Sequence, residues 1–113
     1  MRDCIFCKII HGEIPGDVVL EDEEFFAIRD IAPKAAQHAL VMPREHVPSL
    51  NEIDRWTDGR GQRFLTFTAR VAGALGIRES GYRVITNVGA DGGQEIDHVH
   101  FHVLGGERLG DLV

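Results

Sequence analysis

The chain lacks several features that would indicate a specialised class of protein. Only two of its 113 residues are cysteines, too few for a disulfide-stapled scaffold. In a cytoplasmic chain such a pair more often means a metal site, a redox pair or no special role. No apolar run is long enough to span a bilayer, and the N-terminus carries no signal-peptide pattern. We therefore expect a cytoplasmic protein with no membrane partner.

Positive charge is also scarce. Twelve Lys and Arg face 18 Asp and Glu, which gives a net charge of −6. A nucleic-acid backbone needs a basic surface, so we expect no nucleic-acid partner, whereas a small anionic ligand needs only local donors. There is no low-complexity tract or internal repeat. With 43% hydrophobic residues, the composition is that of an ordinary globular protein, and we predict one domain over residues 1–113.

Short apolar runs predict several strands. Residues 18–20 and 25–28 are separated by an acidic stretch, which is typical of a hairpin with a solvated turn, and a third run covers residues 39–42. Alternation over residues 82–87 indicates another strand. The segment Ile5–Ile10 fits either a short helix or the end of a strand.

Helical periodicity is clearest in the middle of the chain. Ser49 and Glu52 fit a capping box ahead of a short helical turn. The next stretch has apolar or weakly polar residues at helical spacing, ending before Gly76: Phe64, Leu65, Phe67, Thr68, Val71, Ala72 and Leu75. Short strands, one main helix and tight turns together predict an α+β domain with an antiparallel sheet.

Half of the six histidines occur two residues apart near the C-terminus. In a strand this spacing would place His98, His100 and His102 on one face. The opposite face would receive three apolar residues, Val99, Phe101 and Val103. Imidazole acts as base, acid, metal ligand or nucleophile near neutral pH, and burying three without partners would be costly. The pattern predicts an active site.

A glycine-rich loop at residues 89–93 leads into the histidines. Glycines let the backbone approach a ligand, and a concave run of N–H groups binds phosphate oxygens. An ordinary hairpin turn explains the loop equally simply. Beside three histidines, however, the loop is a candidate phosphate cradle.

These residues resemble the histidine triad superfamily of nucleotidyl hydrolases and transferases. His98 to Leu104 follows that family's pattern of three histidines alternating with apolar residues. Further motifs resemble its histidine triad nucleotide-binding branch, and the resemblance covers about residues 4–110: Phe6–Ile10, Glu13–Pro15, Asp30–Pro33, His38–Val41, Pro43–His46, Gly81–Arg83, Gly92–Gln94 and Gly105–Gly106. It implies a five-stranded antiparallel sheet with one long helix and a short one, and a homodimer.

The resemblance also implies an activity, the hydrolysis of purine nucleoside 5′-phosphoramidates through a nucleotidyl-histidine intermediate. His100 corresponds to the nucleophile, with one ring nitrogen bonded to the carbonyl of His98. His102 and His38 correspond to residues that hydrogen-bond the phosphoryl oxygens. The reaction needs no metal, because imidazole attacks phosphorus directly.

The nucleotide-binding residues are carried over in the same way. Asp30 corresponds to the ribose-binding acid, and Asn87, Gly93 and Gln94 would contact the phosphate or position the leaving group. The apolar base pocket corresponds to Phe6, Ile9, Ile28, Ile31 and Leu40. Glu95 stands where many relatives have Ser or Thr, although bacterial relatives often have Glu. This difference puts turnover and leaving-group preference in question.

A Cys-x₂-Cys pair raises the possibility of zinc. Cys4 and Cys7 need two more ligands, and His46 with His98 would complete a Cys₂His₂ set. Some bacterial relatives hold a structural zinc at the matching positions. In the alternative interpretation, the cysteines are small, partly buried residues and His46 caps a helix.

Three other functions are left open by the sequence. One is a dinucleoside polyphosphate hydrolase of the same superfamily, which shares the nucleophile but expels a nucleotide. Another is a nucleotide-binding or protein-interaction module with little turnover, which Glu95 would favour. The third is a zinc-binding structural protein in which the histidines are ligands.

Overall fold

The computed structural model describes residues 3–111, so residues 1, 2, 112 and 113 of the predicted domain lie outside it. Five strands form one antiparallel sheet in the order β1-β2-β3-β5-β4. The strands are β1 (Val18–Glu21), β2 (Phe25–Arg29), β3 (Gln37–Pro43), β4 (Tyr82–Ile85) and β5 (Phe101–Gly105). The helices are α1 (Ile5–Ile10), α2 (Arg60–Ala74) and a short 3₁₀ helix (Leu50–Arg55). The predicted five-stranded α+β fold is confirmed, and the capping-box segment forms the 3₁₀ helix.

The acidic turn between β1 and β2 is held by one of its own side chains. Oδ1 of Asp22 accepts hydrogen bonds from the backbone N–H groups of Glu24 and Phe25, both at 2.8 Å. Glu24 in turn accepts from the guanidinium group of Arg63 on α2, at 2.6 and 2.9 Å. This pairing keeps the pKa of the Glu24 carboxyl below its usual value. The turn is therefore structured, and it is tied to the long helix.

Helix α2 covers one face of the sheet. Its buried residues repeat at helical spacing, as predicted: Phe64, Phe67, Thr68, Val71 and Ala72. Leu65 was predicted on the same face, but that prediction is wrong, because its side chain is 61% exposed. At 100° per residue Leu65 lies beyond the edge of the apolar stripe. No helix of residues 3–111 is long and apolar enough to cross a membrane.

Alternate residues of the central strands point to opposite faces of the sheet. In β3, Ala39 and Val41 pack in the core under α2. Leu40 and Met42 pack on the other face in a second cluster, which includes Phe6 of α1. The main core thus lies between the sheet and α2. Helix α1 and the side chains of His38 and His102 lie on the opposite face.

The histidine segment departs from the predicted strand. Strand β5 begins only at Phe101, so His98 and His100 lie in the irregular segment before it and only His102 is in the strand. The reason is a contact with a distant part of the chain, because the N–H of Val99 donates to the carbonyl of Val47, outside the sheet. The apolar alternation holds nevertheless. Val99, Phe101 and Val103 are all buried in the core under α2.

Candidate active site

A cavity of about 670 Å³ opens on the face of the sheet away from α2, a volume common for small-molecule sites. Ladder pairs form its floor: Ile28 lies opposite Leu40, Leu40 opposite His102, and His102 opposite Ile85. This row crosses β2, β3, β5 and β4. Since adjacent strands lie about 4.8 Å apart, the floor is roughly 14 Å wide.

Most of the predicted nucleotide-binding residues line this cavity. The structure brings together Phe6, Ile9, Ile28, Asp30, Ile31, Leu40, Asn87 and Glu95 with the three histidines His38, His100 and His102. Ile31 is fully exposed, so it lies at the rim instead of inside an apolar pocket. Gly93 and Gln94 are not part of the lining.

The glycine loop forms a hydrogen-bonded turn, not the phosphate cradle considered above. The N–H of Gly93 donates to Ala90, and that of Gln94 donates to the carbonyl of Gly89. The Gln94 side chain accepts from the Gly89 N–H and donates to the carbonyls of Pro48 and Ile96. These donors are used within the protein, which explains why the loop is separate from the cavity.

A hydrogen bond to the backbone fixes the orientation of the His100 ring and the position of its Nδ1 proton. Its Nδ1–H donates to the carbonyl oxygen of His98 over 2.7 Å, which is the bond that the resemblance implied. Nε2 is then the nitrogen that keeps a lone pair. Phe6 packs edge-on against the ring at a centroid distance of 4.9 Å. The ring is thus fixed in the cavity wall, with no protein partner on Nε2 within residues 3–111.

His38 and His102 form a directed chain of hydrogen bonds. The backbone N–H of Lys34 donates to Nδ1 of His38, so the proton of that ring is on Nε2. Nε2 of His38 lies 2.9 Å from Nδ1 of His102 and donates to it. His102 therefore carries its proton on Nε2. Both nitrogens of His38 are engaged in the protein, so this geometry leaves it no donor for a phosphoryl oxygen.

Burial favours the uncharged form of the His38 and His102 imidazoles. It lowers the pKa of His102 to about 4, and the neighbouring His100 and His38 rings add to the shift. Burial also lowers the pKa of His38, although the carboxylate of Asp30 opposes that shift. A neutral His102 has one lone pair, which accepts the hydrogen bond from His38, and one N–H group that can donate to a ligand.

Asp30 lies where β2 ends, at the side of the histidine chain. Its Oδ1 accepts the backbone N–H of Ala32 at 2.9 Å, and its Oδ2 lies 3.5 Å from Nε2 of His38. The carboxylate still borders the cavity. Its remaining acceptor positions suit a pair of sugar hydroxyl groups.

The four predicted metal ligands form a second cluster, beside the segment that carries His100. The ligand atoms of Cys4, Cys7, His46 and His98 lie within 4.8 Å of one another. Nδ1 of His98 lies 3.3 Å from Sγ of Cys4 and 3.6 Å from Sγ of Cys7, and Nδ1 of His46 lies 3.4 Å from Sγ of Cys7. In a tetrahedral zinc site, a sulfur ligand and a nitrogen ligand lie about 3.5 Å apart. The distances in this cluster are therefore close to those of a zinc site.

The hydrogen bonds of this cluster also fit a metal ion. Nε2–H of His98 donates to the carbonyl of Pro43 at 2.8 Å, which leaves Nδ1 unprotonated and facing the two sulfurs. Burial lowers the pKa of His98 to about 4, so the ring is neutral. Burial raises the pKa of the Cys7 thiol, and a bound Zn²⁺ would reverse that shift.

A second group of potential ligands does not fit a metal ion. Asp30, His38 and His102 also lie within 4.8 Å of one another. A metal on Nε2 of His38 would require the ring proton on Nδ1, where the Lys34 N–H already donates. These three residues are therefore a hydrogen-bonded chain.

Several contacts of the site were not predicted from the sequence. Oγ1–H of Thr86 donates to the carbonyl of His100 at 2.8 Å and so restrains the backbone of that residue. The Lys34 N–H and the Pro43 carbonyl set the two tautomers described above. Because the last two partners are backbone groups, no residue type in the sequence could have indicated them.

Comparison with known proteins agrees with this geometry. The HIT domain family matches residues 11–109. A purine nucleoside phosphoramidase from Escherichia coli (strain K12) is 41% identical over 112 residues, which cover 99% of this chain and 94% of that protein. An uncharacterized HIT-like protein of Helicobacter pylori is 44% identical over 104 residues, covering 92% of this chain and 97% of that one.

Solved structures agree as well. A histidine triad protein from Clostridium difficile superposes with a TM-score of 0.92 at 40% identity, covering 100% of this chain and 98% of that one. A HIT family hydrolase from Legionella pneumophila gives a TM-score of 0.89 at 41% identity and covers 96% of both chains. With the sequence pattern, the sheet and the arrangement of the histidines in agreement, the chain belongs to the histidine triad family.

Proposed function

We propose that the protein hydrolyses purine nucleoside 5′-phosphoramidates to a nucleoside monophosphate and an amine. The observation that carries the proposal is the 2.7 Å hydrogen bond from Nδ1 of His100 to the carbonyl of His98. It leaves the lone pair of Nε2 for attack on phosphorus. The E. coli relative, named as a purine nucleoside phosphoramidase, supports the same substrate class.

The chemistry takes two displacements. Nε2 of His100 attacks the phosphorus in line, an N–P bond forms, and the phosphoramidate P–N bond breaks. The amine leaves with a proton taken from water. A water molecule then attacks the phosphorus and the bond to Nε2 breaks, so that the monophosphate is released and the imidazole is restored. The proton that this water loses neutralises the hydroxide left by the first step. His102 donates its Nε2–H to a phosphoryl oxygen in both steps, which stabilises the developing charge.

The remaining lining residues suit a nucleotide. Ile28 and Leu40 offer an apolar floor beneath α1 for a base, and Asp30 offers acceptors for the ribose hydroxyls. Asn87 donates one N–H of Nδ2 to the carbonyl of Gly92 at 2.7 Å, so its second N–H and its Oδ1 remain for the substrate. His38 acts through His102, by fixing which nitrogen carries the proton.

The first experiment measures release of AMP from a fluorogenic adenosine phosphoramidate. We expect His100→Ala to lower kcat by about 10³-fold or more, because no other group can replace the nucleophile. His11→Ala is the matched control, since His11 is an exposed residue at the end of α1. Native protein quenched during turnover should carry a nucleotidyl group on His100.

The competing functions would give different results. Faster turnover of a dinucleoside polyphosphate than of the phosphoramidate would favour the other hydrolase branch. AMP binding without turnover of either substrate would leave a nucleotide-binding module. Equal rates for the native protein and His100→Ala would refute the proposed nucleophile.

We also propose a structural zinc ion held by Cys4, Cys7, His46 and His98. The matching distances and the unprotonated Nδ1 of His98 support it. Zinc would fix the segment whose carbonyl orients His100, and it takes no part in the reaction. A reducing compartment such as the cytoplasm would keep both thiols in the reduced state.

Metal analysis tests this second proposal. We expect about one zinc per chain in the native protein, and loss of zinc with a lowered melting temperature in Cys7→Ser. His11→Ala is the control and should keep its metal. A native protein purified without zinc, and insensitive to added zinc in a melting experiment, would contradict the site.

A homodimer through β4 is our third proposal, following the family resemblance. β4 is an edge strand whose Tyr82 and Val84 are exposed, which is a surface suited to a second sheet. We expect Val84→Arg to convert a dimer to a monomer in light scattering. Val18→Arg on the other edge strand is the matched control, since both valines are 43% exposed. A monomeric native protein would refute the proposal.

A further inference from the structure

Glu95 is a charged group of the cavity to which the proposed hydrolysis gives no role. Its side chain is exposed and lines the cavity, and within residues 3–111 it makes no hydrogen bond or ion pair. Asp30 differs, because both of its carboxylate oxygens have partners. A carboxylate in the wall of a cavity that receives a phosphoryl anion would repel its own substrate, unless part of that substrate is cationic.

The charges of the cavity are divided between two connections of the sheet. Arg29, Asp30 and Lys34 come from the end of β2 and the connection to β3, whereas Glu95 comes from the connection between β4 and β5. The strand order places β2 and β4 on opposite sides of the central pair. Glu95 is therefore the acidic residue of the cavity that is separate from the proposed ribose contact.

This division of charge suggests which way round the substrate would lie in the cavity. In the proposed function the base and ribose occupy the side formed by β2, β3 and α1, and the phosphoryl group lies at His100 and His102. The departing amine is then the part of the substrate left for the β4–β5 connection. Asn87 also lines the cavity there.

We propose that Glu95 selects phosphoramidates whose departing amine carries a second, positively charged group, such as a diamine or a basic amino acid. The inference rests on the proposed hydrolysis. The carboxylate attracts the distal cation and repels an anionic departing group. It thereby also disfavours dinucleoside polyphosphates, whose departing group is an anionic nucleotide.

The test uses three adenosine phosphoramidates of equal chain length. Their amines are pentane-1,5-diamine, pentylamine and 5-aminopentanoate, which place a positive, neutral or negative group at the same distance from phosphorus. We expect kcat/KM in the native protein to fall in that order. Between the cationic and anionic substrates the ratio should be about three- to tenfold, because exposed charges interact weakly. It should shrink at high ionic strength.

Three variants separate the role of Glu95 from that of net charge. Glu95→Gln should bring the three kcat/KM values together, and Glu95→Lys should reverse their order. Asp91→Asn is the control, because Asp91 is exposed and does not line the cavity. This control makes the same change in net charge and should keep the native order.

The outcomes also distinguish the charge selection by Glu95 from the proposed hydrolysis on which it rests. Turnover of all three substrates at equal kcat/KM would overturn the charge selection and leave the hydrolysis intact. An order that persists in Glu95→Gln would remove Glu95 as its source. Failure to turn over any of the three would refute the proposed hydrolysis, and the inference with it.

Discussion

The two faces of one sheet are made from alternate residues of the same strands, yet their chemistry differs. Under α2, Val41 and Val103 are completely buried among apolar and aromatic side chains. On the other face, His38 and His102 of the same two strands make hydrogen bonds around a cavity. Moving one residue along a strand therefore changes the environment from a dry core to a reactive site.

The difference lies in how each face compensates for burial. The α2 face gains stability by removing apolar surface from water. The cavity face buries imidazoles, which is tolerated because each ring makes at least one hydrogen bond within the protein. Within residues 3–111 no buried side-chain nitrogen or oxygen lacks a hydrogen-bond partner. We therefore expect substitutions under α2 to change mainly stability, and those at the cavity to change mainly activity.

Removing a large side chain from the α2 face should give the largest loss of stability. Phe64 is 2% exposed, and its ring centre lies 4.8 Å from that of Phe101 and 5.1 Å from that of Phe25. We expect Phe64→Ala to lower the free energy of unfolding by about 3–5 kcal/mol, because it leaves a cavity among packed rings. Urea denaturation measures the change.

The next residue of α2 provides the control for Phe64. Leu65 is 61% exposed, so Leu65→Ala should change the free energy of unfolding by less than about 0.5 kcal/mol. Folded Phe64→Ala protein should keep its kcat, since α2 lies on the other side of the sheet. If folded Phe64→Ala protein also lost most of its kcat, the expected separation between a face for stability and a face for activity would be contradicted.

Acid should lower the free energy of unfolding, because His102 is protonated more easily in the unfolded chain than in the folded protein. The pKa of His102 is about 4 in the folded protein and about 6.5 in an unfolded chain, so the unfolded state binds a proton first as the pH falls. Stability is complete above about pH 6.5 and is lost progressively toward pH 4. His38, whose pKa is also lowered, contributes in the same direction.

The size of this effect is limited by partial exposure. We expect His102 to account for roughly 1–2 kcal/mol between pH 6.5 and 4, less than a fully buried ring would give. Unfolding in urea at several pH values measures it. His102→Gln should show a shallower pH dependence, and equal slopes in both proteins would contradict the assignment.

The α2 face was largely predictable from the sequence. Helical spacing indicated α2, and the alternation of Val99, Phe101 and Val103 indicated their burial, although only Phe101 and Val103 are in β5. Both signals are local, because spacing along the chain determines which side of an element a residue occupies. The exposure of Leu65 was missed, since it depends on how wide a stripe the sheet covers.

The cavity face was predictable in its residue types but less so in its geometry. The histidine spacing and the family resemblance indicated most of the lining. They did not indicate that His100 precedes the strand, or that Gln94 holds a turn. These features depend on distant backbone partners, such as Pro48 for the Gln94 side chain. Such partners come together only when the chain is folded.

A hydroxyl group at the border of the two faces should have the smallest of these effects on stability. Thr86 follows β4, and its Oγ1–H donates to the carbonyl of the proposed nucleophile His100 at 2.8 Å. We expect Thr86→Val to cost about 1 kcal/mol of stability, since it removes one partly buried hydrogen bond at nearly constant shape. The backbone of His100 would then be less restrained, and we expect kcat to fall severalfold with little change in KM.

This kinetic signature separates positioning of the nucleophile from a general loss of stability. Thr86→Ser keeps the hydroxyl and should restore most of kcat, whereas a merely structural role would not depend on the hydroxyl in this way. Thr66→Val is the control, because Thr66 is exposed on α2. If Thr86→Val lost stability but kept the native kcat, the orientation of His100 would depend on its bond to His98 alone. The cavity face would then need no support from β4.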